Sequence, residues 1–193
     1  MKQAKQGVWV AVLAVLMTLT TGCPGDPPVS VKDPNLEAAI RVQIGQPFGF
    51  LTRSSMARLV TLDARNLNIQ SLEGLQFASN LRFLDVSNNS ISDISPLAGL
   101  DATLETVDLE NNDIFDITAL RGLVFLRFLN ICGNRITSLE PLRVNATAGS
   151  GTGESTEGLG FGDVVVFDCS LEDIDPESIS VLLEAGVELS CCG

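Results

Sequence analysis

The chain has 193 residues, 45% of them hydrophobic, enough for one domain with a continuous core. Its formal charge is −12, from 24 acidic and 12 basic residues. That excess argues against a nucleic-acid partner, whose phosphates demand neutralising cations, and against adhesion to anionic lipid through net charge. There is no histidine and no tyrosine, so Ser-His and Cys-His nucleophile pairs do not exist.

Residues 1–22 read as a targeting segment. Lys2 and Lys5 form a positive start, and Val8 to Leu19 is an apolar run too short to span a bilayer comfortably. Leu19-Thr20-Thr21-Gly22-Cys23 follows. This arrangement resembles a bacterial lipoprotein signal, in which a small residue precedes a cysteine that is lipidated and becomes the new N-terminus. Gly22 and Cys23 match, whereas Thr20 stands where that family prefers a larger aliphatic residue. The resemblance implies that Cys23 carries the lipid, that the mature chain loses Lys2, Lys5 and the only tryptophan, Trp9, and that the protein is held at a membrane. Residues 23–30 then form a tether, since the PGDPP run at Pro24 to Pro28 stays extended or turned rather than packed.

Residues 31–58 predict a helical cap. Asp33 is placed to cap a helix whose first position is Pro34, where a missing N–H costs nothing. Leu36, Ile40 and Ile44 fall on one face, and Gly45 and Pro47 end the helix. A second short helix is expected over 54–58.

A repeat of 22 or 23 residues begins at 59. In LRFLDVSNNSISDISPLAGL, Leu81, Leu84, Val86, Ile91, Ile94, Leu97 and Leu100 are spaced first by two and then by three. One coil earlier stand Leu59, Leu62, Ala64, Ile69, Leu72, Leu75 and Ala78. One coil later stand Leu104, Val107, Leu109, Ile114, Ile117, Leu120 and Leu123, and then Leu126, Leu129, Ile131, Ile136, Leu139 and Leu142. A short inward-alternating strand followed by tight turns gives that spacing, and the period is that of a leucine-rich repeat. The expected fold is an α/β right-handed leucine-rich-repeat solenoid over 59–193, with a parallel sheet on its concave face and short helical turns on the convex one. Strands are expected near Leu62, Leu84, Val107, Leu129, Val164 and Val187. Asn89, Asn112 and Asn134 recur at the ninth position, where a buried amide donates to and accepts from neighbouring backbone; the first coil has Leu67 there. The order of cap helix, short helix and these repeats resembles internalin-type proteins over about residues 31–145.

After Leu142 the pattern breaks. The stretch 145–162, NATAGSGTGESTEGLGFG, reads as a flexible insertion with too little apolar surface to order itself. Residues 163–193 resume with Val164, Val166, Cys169, Leu171 and Ile174 in repeat positions, a helix from Pro176 to Ala185 capped by Asp175, and a last strand edge at Val187 and Leu189.

With inward residues at positions four and six, the open face of the sheet carries positions three, five and seven. Position three reads Thr61, Phe83, Thr106, Phe128 and Asp163. Position five reads Asp63, Asp85, Asp108, Asn130 and Val165, and position seven Arg65, Ser87, Glu110, Cys132 and Phe167. Exposed Phe83 and Phe128 have the character of interface anchors. The carboxylates of Asp63, Asp85 and Asp108 stack at about 4.8 Å and repel unless a cation or basic group lies over them. The expected binding surface is therefore Asp63, Phe83, Asp85, Thr106, Asp108, Phe128 and Asn130. No catalytic set, cofactor or metal site is expected, because a shallow face offers no dry cleft to tune carboxylates. The leading functional reading is a monomeric, non-catalytic module on the bacterial cell envelope, facing periplasm or exterior, that binds a protein or glycan. A ligand-free structural spacer is the alternative, and divalent-cation binding on the Asp column ranks below it.

Export places the cysteines where disulfides form. Aligning Val164 with Val187 and Val166 with Leu189 puts Cys169 and Cys192 at equivalent positions of successive coils, about 5 Å apart, which predicts a bridge between them. Cys191 is the alternative partner, and Cys132 is expected to be outward and free. The competing reading is that Cys169 stays reduced and stands in for the ladder asparagine.

Overall fold

The computed structural model describes residues 25–143, 163–167 and 176–192. Expectations for the targeting segment, Cys23, the 145–162 insertion, Cys169, Leu171, Ile174 and Asp175 lie outside these residues.

The cap is built as its sequence dictates. Helix α1 spans Pro34–Ile44 and buries Leu36, Ile40 and Ile44. Asp33 accepts from the N–H groups of Asn35 at 2.9 Å and Leu36 at 3.2 Å, and Gly45 closes the helix at φ 66°, a left-handed conformation that glycine takes without steric cost. A single turn, α2 (Arg53–Met56), is closed by a capping box between Thr52 and Ser55. It lies one to two residues earlier than the expected 54–58 because Thr52 supplies the cap.

Six parallel strands follow in sequential order: β1 (Thr61–Asp63), β2 (Phe83–Asp85), β3 (Thr106–Asp108), β4 (Phe128–Asn130), β5 (Val164–Phe167) and β6 (Glu188–Cys191). On the opposite side the coils turn through 3-10 segments at Leu75–Phe77, Ser95–Leu100 and Thr118–Gly122. A coil of this length returns to its strand without room for a full helix, so the returns stay tight. Helix α3 (Pro176–Glu184) precedes β6. Every leucine, isoleucine, valine and alanine that set the repeat from Leu59 to Leu142 is buried. The apolar stack is continuous from α1 through the last coil, which is how a solenoid whose coils cannot each bury a face alone becomes stable.

The cap docks on the first coil through backbone. Lys32 N–H donates to the Glu73 carbonyl at 3.1 Å. Gly74 sits so close that a Cβ there would meet the Ser30 carbonyl oxygen at 2.7 Å. Asp33 does double duty: its second oxygen accepts from Gln70 N–H at 2.8 Å, which ties the helix cap to the first coil.

The last coil departs from its expected register by one residue at each of its two pairings. β4 pairs with β5 as Leu129↔Val165, and β5 with β6 as Val165↔Leu189. Val165 and Phe167 are therefore inward and buried, as is Asp163, and none of the three lies on the open face. Val164 and Val166 pair instead with Phe128 and Asn130. The run VVVF after Asp163 is apolar at every position, so it carries no alternation to fix which face is in.

Candidate functional site

The asparagine column supports the open face from behind. Asn89 Oδ1 accepts from Leu67 N–H (3.1 Å) and Ile69 N–H (2.9 Å), while Nδ2 donates to the carbonyls of Ala64 (2.9 Å) and Val86 (2.8 Å). Asn112 accepts from Ile91 N–H at 3.0 Å and donates to Val86 and Leu109, each at 3.0 Å. Asn134 accepts from Ile114 N–H at 3.1 Å and donates to Leu109 at 2.9 Å. Each amide thus satisfies backbone of two coils at the point where the chain leaves the strand. Before each stands a residue in the left-handed region, Asn88 at φ 55°, Asn111 at 53° and Gly133 at 62°, which turns the chain so the amide points inward. The doublets Asn88-Asn89 and Asn111-Asn112 carried that turn in the sequence.

An open groove runs across β1 to β4, lined by Thr61, Asp63, Arg65, Phe83, Asp85, Thr106, Asp108 and Phe128. It brings together six of the seven residues expected at the binding surface. The seventh, Asn130, borders it and donates to Asp108 Oδ2 and to Glu110 Oε2, both at 3.3 Å. Phe83 is 42% exposed, and Phe128 is half-buried.

Position seven does not behave as one outward column. Arg65 is exposed, but Ser87 and Cys132 are buried. Ser87 turns its hydroxyl onto Asp85 Oδ1 at 2.7 Å. Past the short strands the backbone is already turning, so strict alternation ends there.

The carboxylate column is compensated at one end and strained at the other. Arg65 grips Asp63 through two bonds, Nε to Oδ1 at 3.0 Å and Nη2 to Oδ2 at 2.7 Å, and its Nη1 lies 3.6 Å from Asp85. The hydrogen-bonded guanidinium holds the Asp63 carboxyl below its ordinary pKa. The cation expected over this column is thus a side chain of the protein itself, a role that spacing alone did not assign to Arg65. Asp108 has no such cation. Burial pushes its carboxyl up, and the charges of Asp85 and Glu110 push the same way against the Glu110 N–H and Asn130 bonds. Among the described residues no group of three or more acidic, cysteine or histidine side chains is placed to hold a metal ion.

The cysteines differ from their expected pairing. Cys192 is bonded to Cys132, with Cα atoms 5.8 Å apart at a sequence separation of 60. Cys132 is neither outward nor free, and Cys169 is not the partner of Cys192. Cys191 is disulfide-bonded as well. One residue of offset at β4–β5 and another at β5–β6 explain the change, because they align Leu129 with Leu189 and so bring Cys132 and Cys192 to equivalent positions. Ile131 N–H donates to the Val166 carbonyl and Cys192 N–H to the Phe167 carbonyl, so both chains converge on the end of β5. Cys132 and Cys192 lie just past their strands, where the regular sheet spacing that would separate next-nearest strands by roughly 10 Å no longer holds.

Residues 57–99 and 79–122 match the family described as Leucine Rich repeats (2 copies). No curated protein matches the chain. Among solved structures it is similar to an internalin, InlF, from Listeria monocytogenes, at 20% identity and a TM-score of 0.65, over 89% of this chain and 55% of that one. It therefore spans little more than half the length of that internalin. Internalin C2 of the same organism aligns at 20% identity and a TM-score of 0.40, over 88% and 92% of the two chains. The functional domain of InlJ, also from Listeria monocytogenes and described as including a cysteine ladder, aligns at 15% identity and a TM-score of 0.45, over 83% and 45%. With repeats that match the family and a fold shared with an internalin, the chain is a leucine-rich-repeat solenoid.

Proposed function

We propose that the protein is a non-catalytic binding module, exported and held at the bacterial cell envelope by a lipid on Cys23, that takes a protein partner in the groove across β1 to β4. The observation that carries this reading is the groove itself. Phe83 and Phe128 offer apolar contact beside Asp85, Asp108 and Glu110, of which Asp108 has no cation of its own. A partner that inserts a lysine or arginine between the two rings meets both chemistries at once. An open groove without histidine suits recognition and not bond-breaking. The Cys132–Cys192 bridge supports an oxidising compartment. A glycan, which also stacks on aromatic rings, is the other class of ligand.

Capture from envelope extract tests the reading. Wild type should retain a partner that Phe83→Ala/Phe128→Ala loses and that rising salt releases. If both proteins retain the same material, the groove is not the interface; if neither retains any, the chain is a spacer. Fatty-acid labelling tests the anchor: Cys23→Ser should abolish the label, and label surviving in that variant refutes it.

A further inference from the structure

The most exposed large apolar side chains of the described residues are not on the sheet but in the cap. Phe48 is 85% exposed, Val42 82% and Phe50 72%. The loop that carries the two rings is built rather than frayed. Arg41, gripped by Glu37 at 2.8 Å, donates to the carbonyls of Gln46 (3.2 Å) and Gly49 (3.0 Å), and Gln46 Nε2 donates to the Phe50 carbonyl at 2.8 Å. Leu51 at its end is buried and accepts from Val29 N–H at 2.7 Å. The backbone is fixed while both rings face water, an arrangement that adds nothing to the fold and marks a contact surface.

Two further observations say what covers it. Residues 38–62 hold Arg41, Arg53 and Arg58 and no acid, in a chain of net charge −12. Arg53 lies over the Phe77 ring at 5.0 Å and Arg58 Nη2 donates to the Ile44 carbonyl at 2.7 Å, and neither forms an ion pair among the described residues, so each keeps its charge uncompensated. The chain also enters the fold beside this loop. Pro28 bridges to Thr52, and Asp26 accepts from Ser54 N–H at 3.3 Å. Cys23 lies three positions before Asp26, a reach of about 10 Å. Whatever is attached at Cys23 lies at this end of the molecule.

We propose that Phe48 and Phe50 insert into the interfacial zone of the bilayer that holds the Cys23 lipid, with Arg53 and Arg58 over anionic headgroups. This rests on the anchor reading. Aromatic rings settle at that depth, and local basic charge binds an anionic surface even when the remaining coils are repelled by it. The cap thus lies on the membrane, and the acidic coils stand away from it instead of swinging on the tether.

The test uses the full chain, expressed, processed and reconstituted in phosphatidylethanolamine/phosphatidylglycerol vesicles with brominated acyl chains. Trp9 is the only tryptophan; in a Trp9→Phe background, Phe48→Trp is a single reporter. Its emission should shift to the blue and lose most of its intensity to the brominated lipid. Leu183→Trp, on α3 at the far end of the solenoid, should show neither change. Mass analysis of the same preparation reads the lipid on Cys23. Lipid present with Phe48→Trp unquenched overturns the inference alone and leaves the loop to a protein partner. No lipid with quenching upholds the loop and refutes the anchor; no lipid and no quenching refutes both. Equal quenching of both reporters overturns the orientation.

Discussion

Asp33 shows how much one side chain decides. One oxygen caps α1 and the other holds Gln70 of the first coil, and the residue is nearly buried. Asp33→Ala removes all three bonds and should cost roughly 2–3 kcal/mol in chemical denaturation, more than the ~1 kcal/mol of a cap alone. Asn112 makes the same argument further along. Asn112→Ala leaves the Ile91 N–H without its partner in a buried position, while the Val86 and Leu109 carbonyls keep the Asn89 and Asn134 amides, and should cost about 1–3 kcal/mol. Asp108 gives a pH signature of opposite sign from most carboxylates. Its folded pKa is raised, so the folded state holds the proton more tightly than the unfolded chain. Stability from this group is then fully present below the ordinary value of 3.8 and falls as pH rises through the raised one. Asp108→Asn should therefore melt above wild type at neutral pH and converge with it below 3.8, as thermal melts across pH will read. Asp63 runs the other way: its lowered pKa makes its contribution present above 3.8 and lost on acidification.

At the scale of elements, the sequence was legible wherever a pattern had a period and silent where it did not. The strands β1 to β4, the 3-10 returns and α1 follow from alternation, repeat length and an Asp-Pro start. β5 did not follow, because Val164 to Phe167 is apolar in succession and the stretch before it breaks the count of residues per coil. Two one-residue offsets, at β4–β5 and at β5–β6, changed the cysteine pairing, since a disulfide is decided by where two Cα atoms meet and not by spacing in sequence. The groove was legible in its residues but not in its charge balance. Arg65 could be placed on the open face from its position, yet its grip on Asp63 depends on a side-chain conformation that no repeat encodes. The apolar cap loop was missed because its two phenylalanines follow no period. The register has a direct test. Val165→Asp places a charge in a fully buried site and should unfold the last coil, costing several kcal/mol. Val166→Asp, at a half-buried position beside Asn130, should cost far less. Circular dichroism melts of the two variants separate the registers, and the reverse order would restore the sequence-based alignment.

For the whole molecule, the quasi-one-dimensional fold makes stability a local property passed between neighbouring coils. The N-terminal end is sealed by α1, by Asp33 and by the backbone contacts at Glu73 and Gly74. At the other end the seal is thinner: Leu189 in β6 is only half-buried, and among the described residues no strand pairs with the outer edge of β6. The Cys132–Cys192 bridge makes good that difference. It jumps over β5 and ties β6 back to the fourth coil, so β6 cannot leave without breaking a covalent bond. Closing a 60-residue separation contributes on the order of 4 kcal/mol on the chain-entropy account, and measured values run from about 2 to 4. Cys132→Ser/Cys192→Ser should therefore lose β5 and β6 first. Hydrogen exchange reads this strand by strand: amides of Val165 to Cys191 should lose protection in the variant, while those of β1 to β3 keep theirs. Uniform loss along all six strands would show instead that the coils unfold as one unit and that the bridge acts on global stability alone.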